Sequence, residues 1–326
     1  MSNWWEQPDT YWPRRKASPS IRELSREPGA PAYSTLHKWE KRHEEARITN
    51  PRRPDMQPSA GAWGLGGPPL LQPATDNAFE VVVGLFDMHG KHLHEPLMEA
   101  ALRAIDDLQP DRVVIGGDTW NFDLISRWQK DRFRRMSLFD AYAAVKEEIA
   151  EGCANIERVT DHIDPDKVHV VEGNHCDRLR KFMSDDLQEG WDMAYEWLNI
   201  EDMGVHYYNR SGFYLRPEFL VKHGDYTTIH TAKKEYMEEQ CGGWSGHKHT
   251  NGHHGEVFPK LGKRHQWNSV PCMVNLDANY GSGNAGLMRW HQGIVAGMFS
   301  TTNPHLYQTD IGLWWDGQLM LRGRTY

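Results

Sequence analysis

Cysteine is scarce in this chain, with four thiols in 326 residues: Cys153, Cys176, Cys241 and Cys272, widely spaced and without a C-x-x-C pair. That excludes a disulfide framework and a thiolate zinc site, and leaves reduced thiols as the expectation. Long apolar runs are missing as well. Nowhere do about 18 consecutive apolar residues occur, and the opening "MSNWWEQPDT" has no basic start followed by an apolar stretch. Membrane spanning and secretion are therefore unsupported, and a cytoplasmic location is expected. Positive charge is also in deficit, with a net −8, yet the deficit is uneven. Residues 11–54 hold 11 Lys and Arg against 5 Asp and Glu, which leaves −14 for the rest. A local basic segment on an acidic chain points to an anionic partner for that segment alone, nucleic acid first among them.

Hydrophobic residues make up 39% of the chain and aromatics 11%, with 14 tryptophans, which is the composition of a folded globular protein rather than a disordered one. Three stretches divide it. Residues 1–49 are basic and read as helix, turn, helix: Ser18 or Ser20 caps the first helix, "EPGAP" stops it, and Ser34 caps the second. Ile21 with Leu24 and Leu36 with Trp39 form small apolar faces opposite Lys38, Lys41 and Arg42. This segment resembles the helix-turn-helix segments that open some phage and bacterial DNA-associated proteins, which implies DNA contact; a solvated helical appendage or an oligomerisation arm has the same pattern. Residues 50–78 are too rich in proline and glycine for regular structure and read as a linker or a surface-hugging extended segment. Residues 79–326 form the main domain.

In that domain apolar strands alternate with amphipathic helices. "EVVVGLF", "RVVIGG" and "KVHVVEG" read as strands; "EPLMEAALRAIDDL" places Leu97, Ala101, Ala104, Ile105 and Leu108 on one helical face, and "SLFDAYAAVKEEIAEGCANIERV" reads as a long helix. Such alternation implies a parallel sheet covered by helices. Beyond residue 204 short strands follow one another, Asp316-Gly317 marking a hairpin, so a mixed, two-sheet α/β domain is expected. Ligand-type residues stand after the strands: Asp87 and His89, Asp118, Asn174 and His175, His223, then His247 and His249. In an open α/β sheet these strand ends face one crevice. Asp87 and His89, two apart in extended backbone, are expected to point the same way, and so are His247 and His249.

The stretches "DMH", "GGDTWN", "EGNHCD", "KHGD" and "GHKH" occur in the order found in the calcineurin-like metallophosphoesterases, and the chain resembles that family from residue 80 to 250 and on to its C-terminus. The stretches "GGDTWNFDLISRWQKD" and "EGNHCDRLRKF" resemble its phage and prophage members most. The resemblance implies an α/β/β/α four-layer sandwich and two divalent metal ions sharing one carboxylate. Asp87, His89, Asp118 and His249 would hold the first ion, and Asp118, Asn174, His223 and His247 the second. Two cations roughly 3.5 to 4 Å apart neutralise a phosphoester, acidify a bridging water and stabilise the leaving oxygen. Mixed imidazole and oxygen donors suit manganese first, with iron or zinc as alternatives.

His175 would stand beside the substrate, giving a proton to the leaving oxygen or a hydrogen bond to phosphate. The chain departs from the family around it. Cys176 stands where a carboxylate is usual, with Asp177 next, and Asn121 replaces the aspartate that orients the histidine, so Asn121 and Asp177 become candidate helpers. The arginine that follows this motif in protein serine/threonine phosphatases is missing, which disfavours a phosphoprotein substrate. His92 and His94 lie near the site in sequence and can touch substrate, as can His253 and His254, while Trp120, Trp128 and Trp244 fit base stacking or the core. Three functions follow: a phosphodiesterase or nuclease recruited to nucleic acid by residues 11–54; a phosphoesterase of small molecules or nucleotides; and an inactive DNA-associated module. The −14 balance of the remainder weighs against a long phosphate backbone, and filled ligand positions weigh against inactivity. The sequence leaves the oligomeric state open.

Overall fold

A computed structural model describes residues 68–126, 136–183, 198–276 and 289–326 of the chain. The helix-turn-helix segment and most of the proline-rich stretch lie outside the described residues, as does Trp128. From residue 79 the elements run β1 (Phe79–Leu85), α1 (Glu95–Leu108), β2 (Arg112–Gly116), α2 (Leu138–Thr160), β3 (Val168–Val171), α3 (Cys176–Met183), the single turn α4 (Ile200–Met203), β4 (His206–Tyr208), β5 (Phe213–Arg216) and β6 (Phe219–Lys222). Then come α5 (Thr231–Glu239), β7 (Gly242–Ser245), β8 (Gly252–Phe258), β9 (Lys263–Ser269), β10 (Gly293–Ser300), β11 (Tyr307–Trp315), β12 (Gln318–Leu321) and β13 (Arg324–Thr325).

The strands form two sheets. One has eight strands in the order β13-β12-β11-β10-β1-β2-β3-β4, and the other five in the order β5-β6-β7-β9-β8. β1 to β4 are parallel, as the helical crossovers require, whereas β10 to β13 extend the sheet antiparallel from β1. β1 shows why the apolar run is continuous. Val83 and Leu85 face the helices α1 and α2, while Val82 and Phe86 face the second sheet. A strand covered on both faces has no polar side. A further cluster, Leu220, Ala232, Tyr236, Cys241 and Trp267, seats α5 on the outer face of the smaller sheet. Three apolar layers thus separate four structural layers, and the fold is the α/β/β/α sandwich expected.

Local signals account for the helix ends. The His94 ring accepts from the Leu97 amide at 3.2 Å and caps α1, and Ser137 Oγ caps α2 through the Asp140 amide at 3.1 Å. His94 therefore has a structural role at a helix start. Trp120 and Trp244 are fully buried, Trp120 donating to the Ile149 carbonyl at 3.1 Å, so both are core rather than stacking platforms. The end of the proline-rich stretch lies along β5, where the Tyr214 amide donates to the Pro69 carbonyl at 2.7 Å and the Leu71 amide to the Tyr214 carbonyl at 2.8 Å. All four cysteines are free thiols. Among the described residues no helix is long and apolar enough to cross a membrane.

Candidate metal centre

Parallel strands deliver their following loops to one edge, and here five strands do so. Asp87 and His89 follow β1, Asp118 follows β2, Asn174 and His175 follow β3, His223 follows β6, and His247 and His249 follow β7. Asp87, His89, Asp118, His223 and His249 are buried. The backbone departs from the extended form expected of the D-x-H and H-x-H pairs. Asp87 (φ 55°), His89 (54°), Asp118 (45°), His247 (65°) and His249 (60°) all adopt the left-handed conformation. Each such residue costs on the order of 1–2 kcal/mol. Five together mark a place where loop geometry is set by what the side chains must reach. As a consequence His247 and His249 do not point alike: His249 joins Asp87 and His89, and His247 joins Asp118 and His223.

Backbone amides hold the carboxylates. The His175 amide donates to Asp118 Oδ1 at 2.8 Å, the His247 amide to Asp87 Oδ2 at 3.0 Å, and the His89 amide to the Asp118 carbonyl at 2.7 Å. Two glycines make the packing possible. A Cβ on Gly173 would lie 2.0 Å from Asp118 Oδ1, and one on Gly117, at φ +98°, 2.2 Å from His223 Nδ1.

The hydrogen bonds also settle which ring nitrogens face inward. Asn121 Oδ1 accepts from His89 Nδ1 at 3.2 Å and from His175 Nδ1 at 2.8 Å, and the Gly116 carbonyl accepts from His223 Nδ1 at 3.2 Å. Each of these rings therefore turns Nε2 toward the centre. His89 Nε2 lies 3.3 Å from His249 Nε2, and His249 Nε2 lies 3.3 Å from Asp87 Oδ1. On the other side His223 Nε2 lies 2.9 Å from Asn174 Oδ1 and 3.3 Å from Asp118 Oδ2. Asp118 Oδ2 is also 3.8 Å from His89 Nε2, so one carboxylate serves both groups. Because His89 Nδ1 donates to Asn121, its Nε2 lone pair faces His249 and the two carboxylates, an arrangement a cation can bridge. The donor set therefore fits metal ions, with Asp87, His89 and His249 on one side, His223 and His247 on the other beside Asn174 Oδ1, and Asp118 between.

Titration follows the same geometry. Burial favours neutral His223, but the Asp118 carboxylate, with Asp87 behind it, outweighs burial and raises the ring to about 9. Without metal His223 is thus an imidazolium standing in for a cation. Burial and the His223 charge push His247 down to about 4, and burial together with His175 holds His89 well below the usual imidazole range. Burial raises the Asp118 carboxyl, yet His175, His223 and His89 win and keep it ionised well below its usual range.

His175 sits at the rim, with its Nε2 3.8 Å from Asp118 Oδ2. Arg178 donates to that Nε2 at 2.8 Å, to the Asn121 carbonyl at 2.8 Å and to Asp123 Oδ1 at 3.2 Å. Sequence reasoning missed Arg178. Its only signal is the spacing of three from His175, one helical turn at the start of α3. Asp177 lies in the same first turn, its amide facing the Gly173 carbonyl at 3.4 Å, and it joins none of the metal-type groups among the described residues. Trp290 packs edge-on against His249 with centroids 4.2 Å apart, a further neighbour the motifs did not reveal. His92 lies 3.7 Å from Asp123, whereas His253 and His254 sit on β8 against Asn268 and Glu256.

Behind the His92 turn, Glu148 of α2 is buried, with Lys91 Nζ at 3.9 Å, and burial raises its carboxyl to about 7. The unfolded group titrates near ~4.3, so between these values the native state holds a proton the unfolded chain has lost, and stability falls as pH rises. Glu148→Gln is expected to stabilise the domain relative to wild type by about 1 kcal/mol at pH 5 and by on the order of 3 kcal/mol at pH 7, read as a melting-temperature difference that widens with pH. Parallel melting curves for the two proteins from pH 5 to 8 would contradict this.

No family model matches the chain, and no curated protein does. Solved structures are similar to it. A Streptococcus pneumoniae protein described as a predicted phosphoesterase matches at 12% identity, over 72% of this chain and 99% of its own, with a TM-score of 0.28. Vacuolar protein sorting 29 from Cryptosporidium parvum matches at 12% identity, over 77% of this chain and 99% of its own, with a TM-score of 0.39.

Proposed function

We propose that the chain is a two-metal phosphoester hydrolase acting on phosphodiesters of nucleic acid or nucleotides. The observation that supports this most is the position of Asp118, a buried carboxylate shared by two inward-facing sets of imidazole and oxygen donors. Divalent cations held there, manganese first and iron or zinc next by donor type, supply charge neutralisation of the phosphoester and an acidified water.

The remaining work falls to side chains at the rim. Asn121 holds His175 in one tautomer, with Nδ1 protonated and Nε2 accepting from Arg178. Burial, helped by Arg178, lowers the His175 pKa against the pull of Asp118, so the ring is neutral at physiological pH and serves as a hydrogen-bonding and proton-relay group. Arg178 provides a guanidinium that this chain lacks at the position where protein serine/threonine phosphatases carry theirs. A guanidinium at this rim suits a phosphate oxygen. Arg178→Ala is expected to raise KM for a phosphodiester about tenfold with a smaller fall in kcat, and Arg178→Lys to recover part of it. Unchanged KM in both would remove Arg178 from substrate binding.

The basic residues of segment 11–54 favour nucleic acid over a small ester, and the −14 balance elsewhere favours the small ester. The full chain with manganese, assayed on bis(p-nitrophenyl) phosphate, p-nitrophenyl phosphate and labelled single- and double-stranded DNA, separates the two. Cleavage of DNA that weakens in a Lys38→Ala, Lys41→Ala, Arg42→Ala protein, while diester turnover stays constant, supports the nucleic-acid reading. Activity confined to small esters supports the other, and no turnover of any ester defeats both.

A further inference from the structure

Away from the centre, Glu218, His265 and His305 converge from three separate segments. Glu218 occupies the tight turn between β5 and β6 with φ 64°, His265 is buried on β9, and His305 lies between β10 and β11. Glu218 immediately precedes β6 and His223 immediately follows it, so this cluster stands about 17 Å from the metal centre, at the opposite end of the strand.

Lys263 Nζ binds Glu218 Oε1 and leaves Oε2 to the imidazoles. His265 Nε2 lies 2.9 Å from Oε2 and His305 Nδ1 3.7 Å from it. The second distance is too long for a hydrogen bond, and His305 Nδ1 is buried with no hydrogen-bond partner. One donor atom from each residue falls within 4.8 Å of the other two. Ligand atoms around a tetrahedral zinc, with bonds near ~2.0–2.1 Å, stand about 3.3 Å apart, midway between the two distances observed. An ion pair alone explains Lys263, Glu218 and His265, but not a buried His305 nitrogen aimed at an oxygen it does not reach.

We propose that Glu218, His265 and His305 form a separate divalent-metal site of zinc type, with two imidazoles, one carboxylate and an open position. Its ion would clasp the β5–β6 turn and β9 of the smaller sheet to the β10–β11 connection of the larger one. The role is structural, and the site is independent of the phosphoesterase reading.

Zinc titration of the chelator-treated full chain tests this, with zinc-dependent melting as a second readout. His305→Ala is expected to bind one equivalent fewer than wild type, and its zinc-induced rise in Tm to be about 5 °C smaller at saturating zinc. His265→Asn should behave the same way, while Asp118→Asn keeps this equivalent. Wild-type zinc stoichiometry and affinity in either His305→Ala or His265→Asn would overturn the proposal and leave a Lys263–Glu218–His265 ion pair.

Discussion

Asp118→Asn is expected to lower turnover of bis(p-nitrophenyl) phosphate at least about 1,000-fold, with bound metal reduced and the fold preserved. Asparagine matches aspartate in size and can still accept the His175 amide, so packing is kept. The negative charge that both donor groups share is lost, with Oδ2 at 3.3 Å from His223 and 3.8 Å from His89. Losing several kcal/mol of charge stabilisation at a reacting centre gives that factor, since each ~1.4 kcal/mol is tenfold. His249→Ala touches one group only and should lose metal from that side alone. Turnover within tenfold of wild type in Asp118→Asn, measured with circular dichroism to verify folding, would mean that the shared carboxylate is not where the chemistry occurs.

Glu80→Gln is expected to destabilise the domain by about 3–5 kcal/mol while leaving activity per folded molecule unchanged. Glu80 is fully buried on β1 and binds two guanidinium groups, Arg112 of β2, with Nε at 2.5 Å, and Arg216 of β5. Arg216 comes from the other sheet, so this carboxylate ties the two sheets together at the end remote from the metal centre. Neutralising it leaves two buried cations without a counter-charge, a larger penalty than deleting the whole cluster for apolar residues. A fall in Tm of about 10 °C or more follows. A change under about 2 °C would show that water reaches the two arginines.

Much of this was legible in the sequence, for physical reasons. Helix α1 combines a ring that caps, a proline in its first turn and an apolar face from Leu97 to Ile105, so its bounds agree with the expected stretch. β1 to β3 are buried on both faces and write themselves as apolar runs. The β8–β9 hairpin was not legible. Its strands, "GHHGEVF" and "KRHQWNS", are polar, and β8 carries only half-buried and exposed residues, so no apolar period announces either strand. At the site, strand ends identify which residues meet but not how. Extended geometry predicts that His247 and His249 point alike, whereas left-handed backbone at both sends them to different groups. Arg178 and the Glu218, His265 and His305 cluster depend on tertiary proximity, which no local spacing encodes.

The most direct test of the central claim is turnover of bis(p-nitrophenyl) phosphate by the full chain after chelation and again after stepwise return of manganese, with bound metal counted at each step. The account predicts no turnover in the metal-free protein and recovery that tracks the filling of two sites. A protein that binds two metal ions at this centre and still hydrolyses neither this diester nor DNA, with manganese, iron or zinc, would contradict it.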